Sequence, residues 1–193
     1  MSREELLDTV ATEVAVCVKC PLWKDRTKAV PGEGSPDARV MFIGEAPGKW
    51  EDIKGRPFVG EAGKFLDSLI SELGLSREQV FITNVVKCRP PKNREPKPNE
   101  IQTCTPYLDR QIRLIQPKFM VTLGNHSTAY IFSKAGLAFS GITQARGKFH
   151  ETYVLGMKIT VFATFHPAAS LYSGKYKEQI TDDFKLLRQR LKE

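Results

Sequence analysis

RVMFIGEAPGKWEDIKGRPFVGEAGKFLDSLISELGLSREQVFITNVV, residues 39–86, is the stretch that decides the fold. It opens on a short apolar run, Arg39 to Gly44, with no polar alternation, as expected of a strand buried on both faces. After a Gly/Pro-rich loop, Ala62, Phe65, Leu66, Leu69, Ile70 and Leu73 recur at helical spacing, and Gly74 ends that helix. Val80 to Val86 is again β-branched and apolar. Strand, helix, strand in this order predicts a parallel sheet with helices on its faces.

Working outward, the pattern continues. A helix is predicted from about Asn99 to about Gln116, with Pro106 as a bend point, followed by a strand over Lys118–Gly124. A helix over Asn125–Lys134, a strand over Lys158–Thr164 and a closing helix from roughly Tyr176 complete the series. Upstream, Ser2-x-x-Glu5 is a capping box opening an amphipathic helix (Leu6, Leu7, Val10, Val14) that delivers Cys17 at its end. The expectation is a single domain over 1–193, a three-layer αβα fold with a central four-stranded parallel sheet.

Composition sets the bounds. Of 193 residues, 41% are hydrophobic and 26% charged, the balance of an ordinary globular protein. No apolar run is long enough to span a bilayer, and the first residues lack the layout of a signal peptide, so cytoplasmic residence away from membranes is expected. A monomer is expected. The net charge of +7 is compatible with a polyanionic partner. Its distribution says more: Lys87, Arg89, Lys92, Arg94 and Lys97 crowd a proline-stiffened loop, whereas Lys185, Arg188, Arg190 and Lys192 read as the solvated face of the last helix.

The chain has four cysteines, Cys17 and Cys20 as C-x2-C, then Cys88 and Cys104. A pair at turn spacing plus two more reads as one four-thiolate site, which zinc and an iron–sulfur cluster can both occupy. Pro21 after Cys20, and Pro90-Pro91 after Cys88, favour iron–sulfur, because proline near a ligand removes a competing N–H and stiffens the loop. Zinc and a disulfide framework stay open at this point.

In parallel α/β folds the site gathers at the carboxyl ends of the strands. That rule selects Gly44-Glu45-Ala46-Pro47-Gly48, Asn84, Gly124-Asn125-His126 and Phe165-His166-Pro167-Ala168-Ala169. The first lacks the spacing of a phosphate-binding glycine loop, but its carboxylate could orient a water. Phe58, in a Gly/Pro frame, could stack on a planar base. Asn84 can donate and accept at once, as reading a base edge requires. His166, fixed by Pro167, could donate to an oxygen gaining charge. Alone, each has a structural reading; His126 and His150, in weaker contexts, are taken as structural.

Together, GEAPGKWEDIKGRPFVGEAGKFLD (44–67), FITNVVKCRPPKNREP (81–96) and FHPAA (165–169) resemble the family 4 uracil-DNA glycosylases, iron–sulfur members of that superfamily. The resemblance covers essentially the whole chain. It implies a DNA-repair enzyme that flips deoxyuridine from double- or single-stranded DNA and hydrolyses its N-glycosidic bond, leaving an abasic site. It implies a 4Fe–4S cluster on Cys17, Cys20, Cys88 and Cys104. Gly44, Glu45 and Ala46 would lie against uracil and the attacking water, Phe58 would stack on the base, Asn84 would read its edge and His166 would bind O2. Leu171 would wedge into the duplex, and Glu51 would exclude a C5 methyl. Lys87, Arg89, Lys92 and Arg94 would contact phosphates. The broader-specificity family 5 shares the cysteines but typically lacks the glutamate found here as Glu45. A non-catalytic iron–sulfur protein of the same fold is the other alternative.

Overall fold

Six strands pair into one sheet in the computed structural model, which describes Met1–Glu193. They are β1 (Glu33–Gly34), β2 (Val40–Gly44), β3 (Phe81–Asn84), β4 (Phe119–Leu123), β5 (Phe149–Val154) and β6 (Met157–Thr164), in the order β1-β3-β2-β4-β6-β5. The predicted four-stranded parallel sheet is thereby corrected to a mixed, six-stranded one. The four expected strands form its parallel centre, β3-β2-β4-β6, while β1 and β5 add antiparallel at the two edges. Every residue of β2, β3 and β4 is buried, as the unbroken apolar runs require.

The helices are α1 (Arg3–Ala15), α2 (Lys49–Lys54), α3 (Glu61–Glu72), α4 (Pro98–Ile115), α5 (Asn125–Ala135), α6 (Ile142–Ala145) and α7 (Gly174–Leu191). The Ser2–Glu5 capping box forms in both directions, and α1 packs on α4 through a face that includes buried Val10 and Val14. α4 runs as one helix through Pro106. Proline there cannot donate to the Gln102 carbonyl four residues back, and the Thr105 hydroxyl donates to that carbonyl instead, at 3.4 Å. No helix is long and apolar enough to cross a membrane.

Chain order within the sheet locates the site. From β2 the chain passes through α3 to β3 on one side, then through α4 to β4 on the other. The connections therefore diverge at the carboxyl ends of β2 and β4, and a crevice opens there. Glu45 follows β2, and Asn125 and His126 follow β4.

Candidate active site

The four strand ends converge on one open cleft, lined among others by Glu45, Phe58, Asn84, His126, His166 and Leu171. Its floor is tight. A Cβ on Gly44 would overlap Asn84 Oδ1 and come within 2.6 Å of the Phe58 ring, so only glycine lets these two side chains meet over the strand end. Gly44→Ala is accordingly expected to cost about 1–3 kcal/mol through overpacking. A clear drop in melting temperature checks this, and an unchanged one would show that the floor yields.

Phe58 is buried, with its backbone in the left-handed region at φ +48°. An L-residue held there is strained by about 1–2 kcal/mol, so something must impose it. Arg77 does: its guanidinium donates to the carbonyls of Pro57 (2.6 Å) and Phe58 (3.0 Å) while pairing with Glu33 and Asp67. Glu51 closes the same loop, its Oε1 accepting from the amides of Val59 and Gly60 at 3.2 Å each. That carboxylate oxygen, assigned from the resemblance to excluding a methyl group, is thus engaged with loop backbone.

Asn84, at the end of β3, is 2% exposed, yet its Oδ1 finds no hydrogen-bond partner in the protein. A buried amide oxygen left unpaired is destabilising by about 1–3 kcal/mol, which a ligand donor would remove. The His166 ring lies 5.4 Å from that of Phe58, tilted by 26°. Its Nδ1 accepts from the Ala168 amide at 3.1 Å, so in the neutral ring the proton sits on Nε2, the nitrogen left to donate. Burial pushes its pKa down to about 4, and the ring is neutral in ordinary buffers. Gly124, at φ +93°, makes room for it; a Cβ there would press on His166 Cβ at 3.1 Å. Behind it the end of β6 is anchored, Thr164 donating to Asp183 (2.6 Å) and Asp183 pairing with Arg146 (2.7 Å).

Glu45 is half-buried, and its backbone is held by the Val86 amide donating to its carbonyl at 3.0 Å. Burial raises its carboxyl pKa above the ordinary range, His126 pulls it back, and Glu95 adds to the rise. His126, set aside in the sequence reading, lies in the cleft with Nε2 3.9 Å from Glu45 Oε2 and 3.6 Å from Glu95 Oε2. The strand-end rule had marked its position; only the ring's orientation was hidden. On the rim, Leu171 and Tyr172 stand exposed at the end of a 3-10 turn, Pro167–Leu171, in which Ser170 Oγ donates to the Pro167 carbonyl. The cleft also takes in Trp50, which no motif reading named.

The basic loop needs correcting. Lys87 is only 1% exposed and cannot meet phosphate. Its Nζ donates to Thr83 Oγ1 (2.5 Å), the Asn84 carbonyl (2.8 Å) and Gln111 Oε1 (2.8 Å), and burial draws its pKa down to about 7. Arg94 is committed to Glu100 through two hydrogen bonds of 2.8 and 2.9 Å. Lys92 is exposed, and Arg89 is partly exposed with Nε donating to Asn93.

The four cysteines are unpaired and line a second, smaller cavity with Arg26, Lys87 and Tyr107. Burial raises the Cys88 thiol pKa and takes Cys104 up to about 12, so both hold protons unless a metal replaces them. Two donors point at sulfur: Arg26 Nη1 to Cys88 Sγ and the Lys87 amide to Cys104 Sγ, each at 3.2 Å. Four thiols around one space, with N–H groups aimed at two of them, are a donor set that fits an iron–sulfur cluster. They do not close as a three-ligand group around a single ion.

Residues 31–188 match the sequence model of the Uracil DNA glycosylase superfamily. The chain belongs to that superfamily. Within the uracil-DNA glycosylases it falls with type 4. It is 58% identical over 184 residues to the type-4 uracil-DNA glycosylase of Sulfurisphaera tokodaii, covering 95% of this chain and 84% of that protein. For the type-4 enzyme of Saccharolobus solfataricus the identity is 55%, over 96% of this chain and 86% of that one. For that of Archaeoglobus fulgidus it is 46%, over 94% and 91%.

Proposed function

We propose that this type-4 glycosylase holds an extruded uracil against the Phe58 ring, reads it with Asn84, and hydrolyses its N-glycosidic bond with His166 and Glu45. Its membership of the type-4 group makes it an enzyme of DNA repair that excises uracil. The observation that carries the residue assignment is the buried, unpartnered Asn84 Oδ1 at the floor of the cleft.

A duplex buries its glycosidic bonds, so the nucleotide must leave the stack, at a cost of a few kcal/mol. Asn84 then accepts from uracil N3–H and donates to O4. Cytosine offers the opposite pattern, leaving buried polar atoms unpaired at about 1–3 kcal/mol per group. His166 Nε2–H donates to O2. As the C1′–N1 bond breaks, its electron pair moves onto the uracil ring, and the donor meets the growing negative charge without giving up its proton. The sugar becomes oxocarbenium-like, and a water held by Glu45 adds at C1′ and releases one proton, which neutralises the departing uracil anion, leaving an abasic site and free uracil. Arg89 and Lys92 remain as phosphate contacts from the basic loop, with Leu171 as the wedge.

Cys17, Cys20, Cys88 and Cys104 would hold the 4Fe–4S cluster. Bound there, it would cross-link the segment after α1, the loop after β3 and α4; hydrolysis calls on it for no electron. Asn84→Asp tests the reading role, because a carboxylate cannot donate to O4. Single-turnover excision from a uracil oligonucleotide, scored by alkaline cleavage, is expected to fall roughly 5- to 150-fold and the margin over cytosine to narrow. Excision at the wild-type rate would remove Asn84 from this role.

A further inference from the structure

His126 and the exposed Glu95 are left unused by the reaction as described, although both border the half-buried Glu45. We propose that His126 is a positioning residue for the hydrolysis: standing between Glu45 and Glu95, its protonated ring keeps Glu45 a carboxylate able to hold the attacking water. The inference rests on the water-holding role given to Glu45 above.

The placement follows from the fold. Glu45 follows β2 and His126 lies in the first turn of α5, just past β4, so the two face each other across the diverging connections. The gaps of 3.9 Å to Glu45 and 3.6 Å to Glu95 exceed a hydrogen bond but suit an ion pair or a bridging water. Without the ring, Glu45 would face only desolvation and the like charge of Glu95, and both favour its protonated form. A protonated Glu45 presents an O–H donor in place of a carboxylate acceptor and holds the attacking water less well.

Other charged groups on the cleft are engaged elsewhere. Arg94 pairs with Glu100 and Glu61 with Lys64. Glu51 holds the amides of Val59 and Gly60, Lys49 Nζ lies over the Trp50 ring, and His166 is neutral. His126 is therefore the one basic side chain set against Glu45. With the ring protonated, the trio carries a net charge of −1, which also suits a neighbouring oxocarbenium ion.

The test is the pH dependence of single-turnover excision, from pH 4.5 to 9, on a single-stranded uracil oligonucleotide. His126→Ala is expected to move the acidic limb up by about one pH unit. The rate then falls up to tenfold below the limb and stays within twofold of wild type above pH 8. His126→Lys, which keeps a positive charge, restores the limb toward its wild-type place, and Glu95→Gln moves it down. A limb unmoved in His126→Ala, or a loss of equal size at every pH, overturns the proposal. Glu45→Gln separates the two levels. If it keeps the wild-type rate and limb, the reading of Glu45 itself fails. If it abolishes the limb while His126→Ala leaves it in place, only the role of His126 does.

Discussion

His166→Ala is expected to slow uracil excision by about 10²–10³-fold, the loss typical of one preorganised donor to a developing anion. The geometry makes the effect one of chemistry more than of binding. Nδ1 is occupied by the Ala168 amide, so the ring can face the cleft only as an Nε2–H donor, and burial keeps it neutral down to about pH 4. The ratio of wild-type to variant single-turnover rates should therefore stay flat between about pH 5 and 8. A ratio rising as pH falls would mean that the charged ring is the working form, against this assignment. Linkage gives a second signature. A histidine whose folded-state pKa lies below its ordinary 6.5 contributes full stability above that value. The contribution is lost as pH falls from about 6.5 toward about 4, so wild type should lose this increment on acidification and His166→Ala should not.

Cys88→Ala is expected to have the largest effect on folding. It removes one thiol from the proposed cluster and the acceptor of Arg26 Nη1, which otherwise ties Cys88 to the carbonyl of Cys17 through the same nitrogen. Arg26 Nη2 also donates to the Ala15 carbonyl, so the end of α1 is anchored through this side chain. Losing a structural metal site withdraws its binding energy from folding. We expect lost absorbance near ~400 nm, lost iron, and a melting temperature lower by at least about 10 °C. A cluster-free variant that melts with wild type and excises uracil at the same rate would refute the structural role.

The centre of the fold was legible because β2, β3 and β4 are buried on both faces and so are written as unbroken apolar runs. The sheet edges were not. β1 is two residues long, and β5 is joined to β6 by a turn at Leu155-Gly156, both at positive φ. Leucine in the first of those positions hides a turn that asparagine or aspartate would have advertised. The site was partly legible because strand ends are found from the pattern. What each side chain touches was not: Arg77 clamps a loop 19 residues away, and the acceptor that shares Lys87 with Thr83 lies 24 residues further on. A lysine beside Arg89 and Lys92 looks like surface charge until those acceptors are known.

The buried Lys87 also limits how this chain can vary. Its ammonium group, the hydroxyl of Thr83 and the amide of Gln111 complete one another, and Thr83 and Gln111 both also donate to the Pro31 carbonyl. Removing any one leaves buried polar groups stranded, so single substitutions at 83, 87 and 111 should be poorly tolerated, and apolar side chains at all three would still strand the Pro31 and Asn84 carbonyls. The three positions form a single heritable unit. Lys87 also carries the Asn84 carbonyl on its side chain, and its backbone amide reaches the Cys104 sulfur, so one residue touches both the end of β3 and the cysteine cavity.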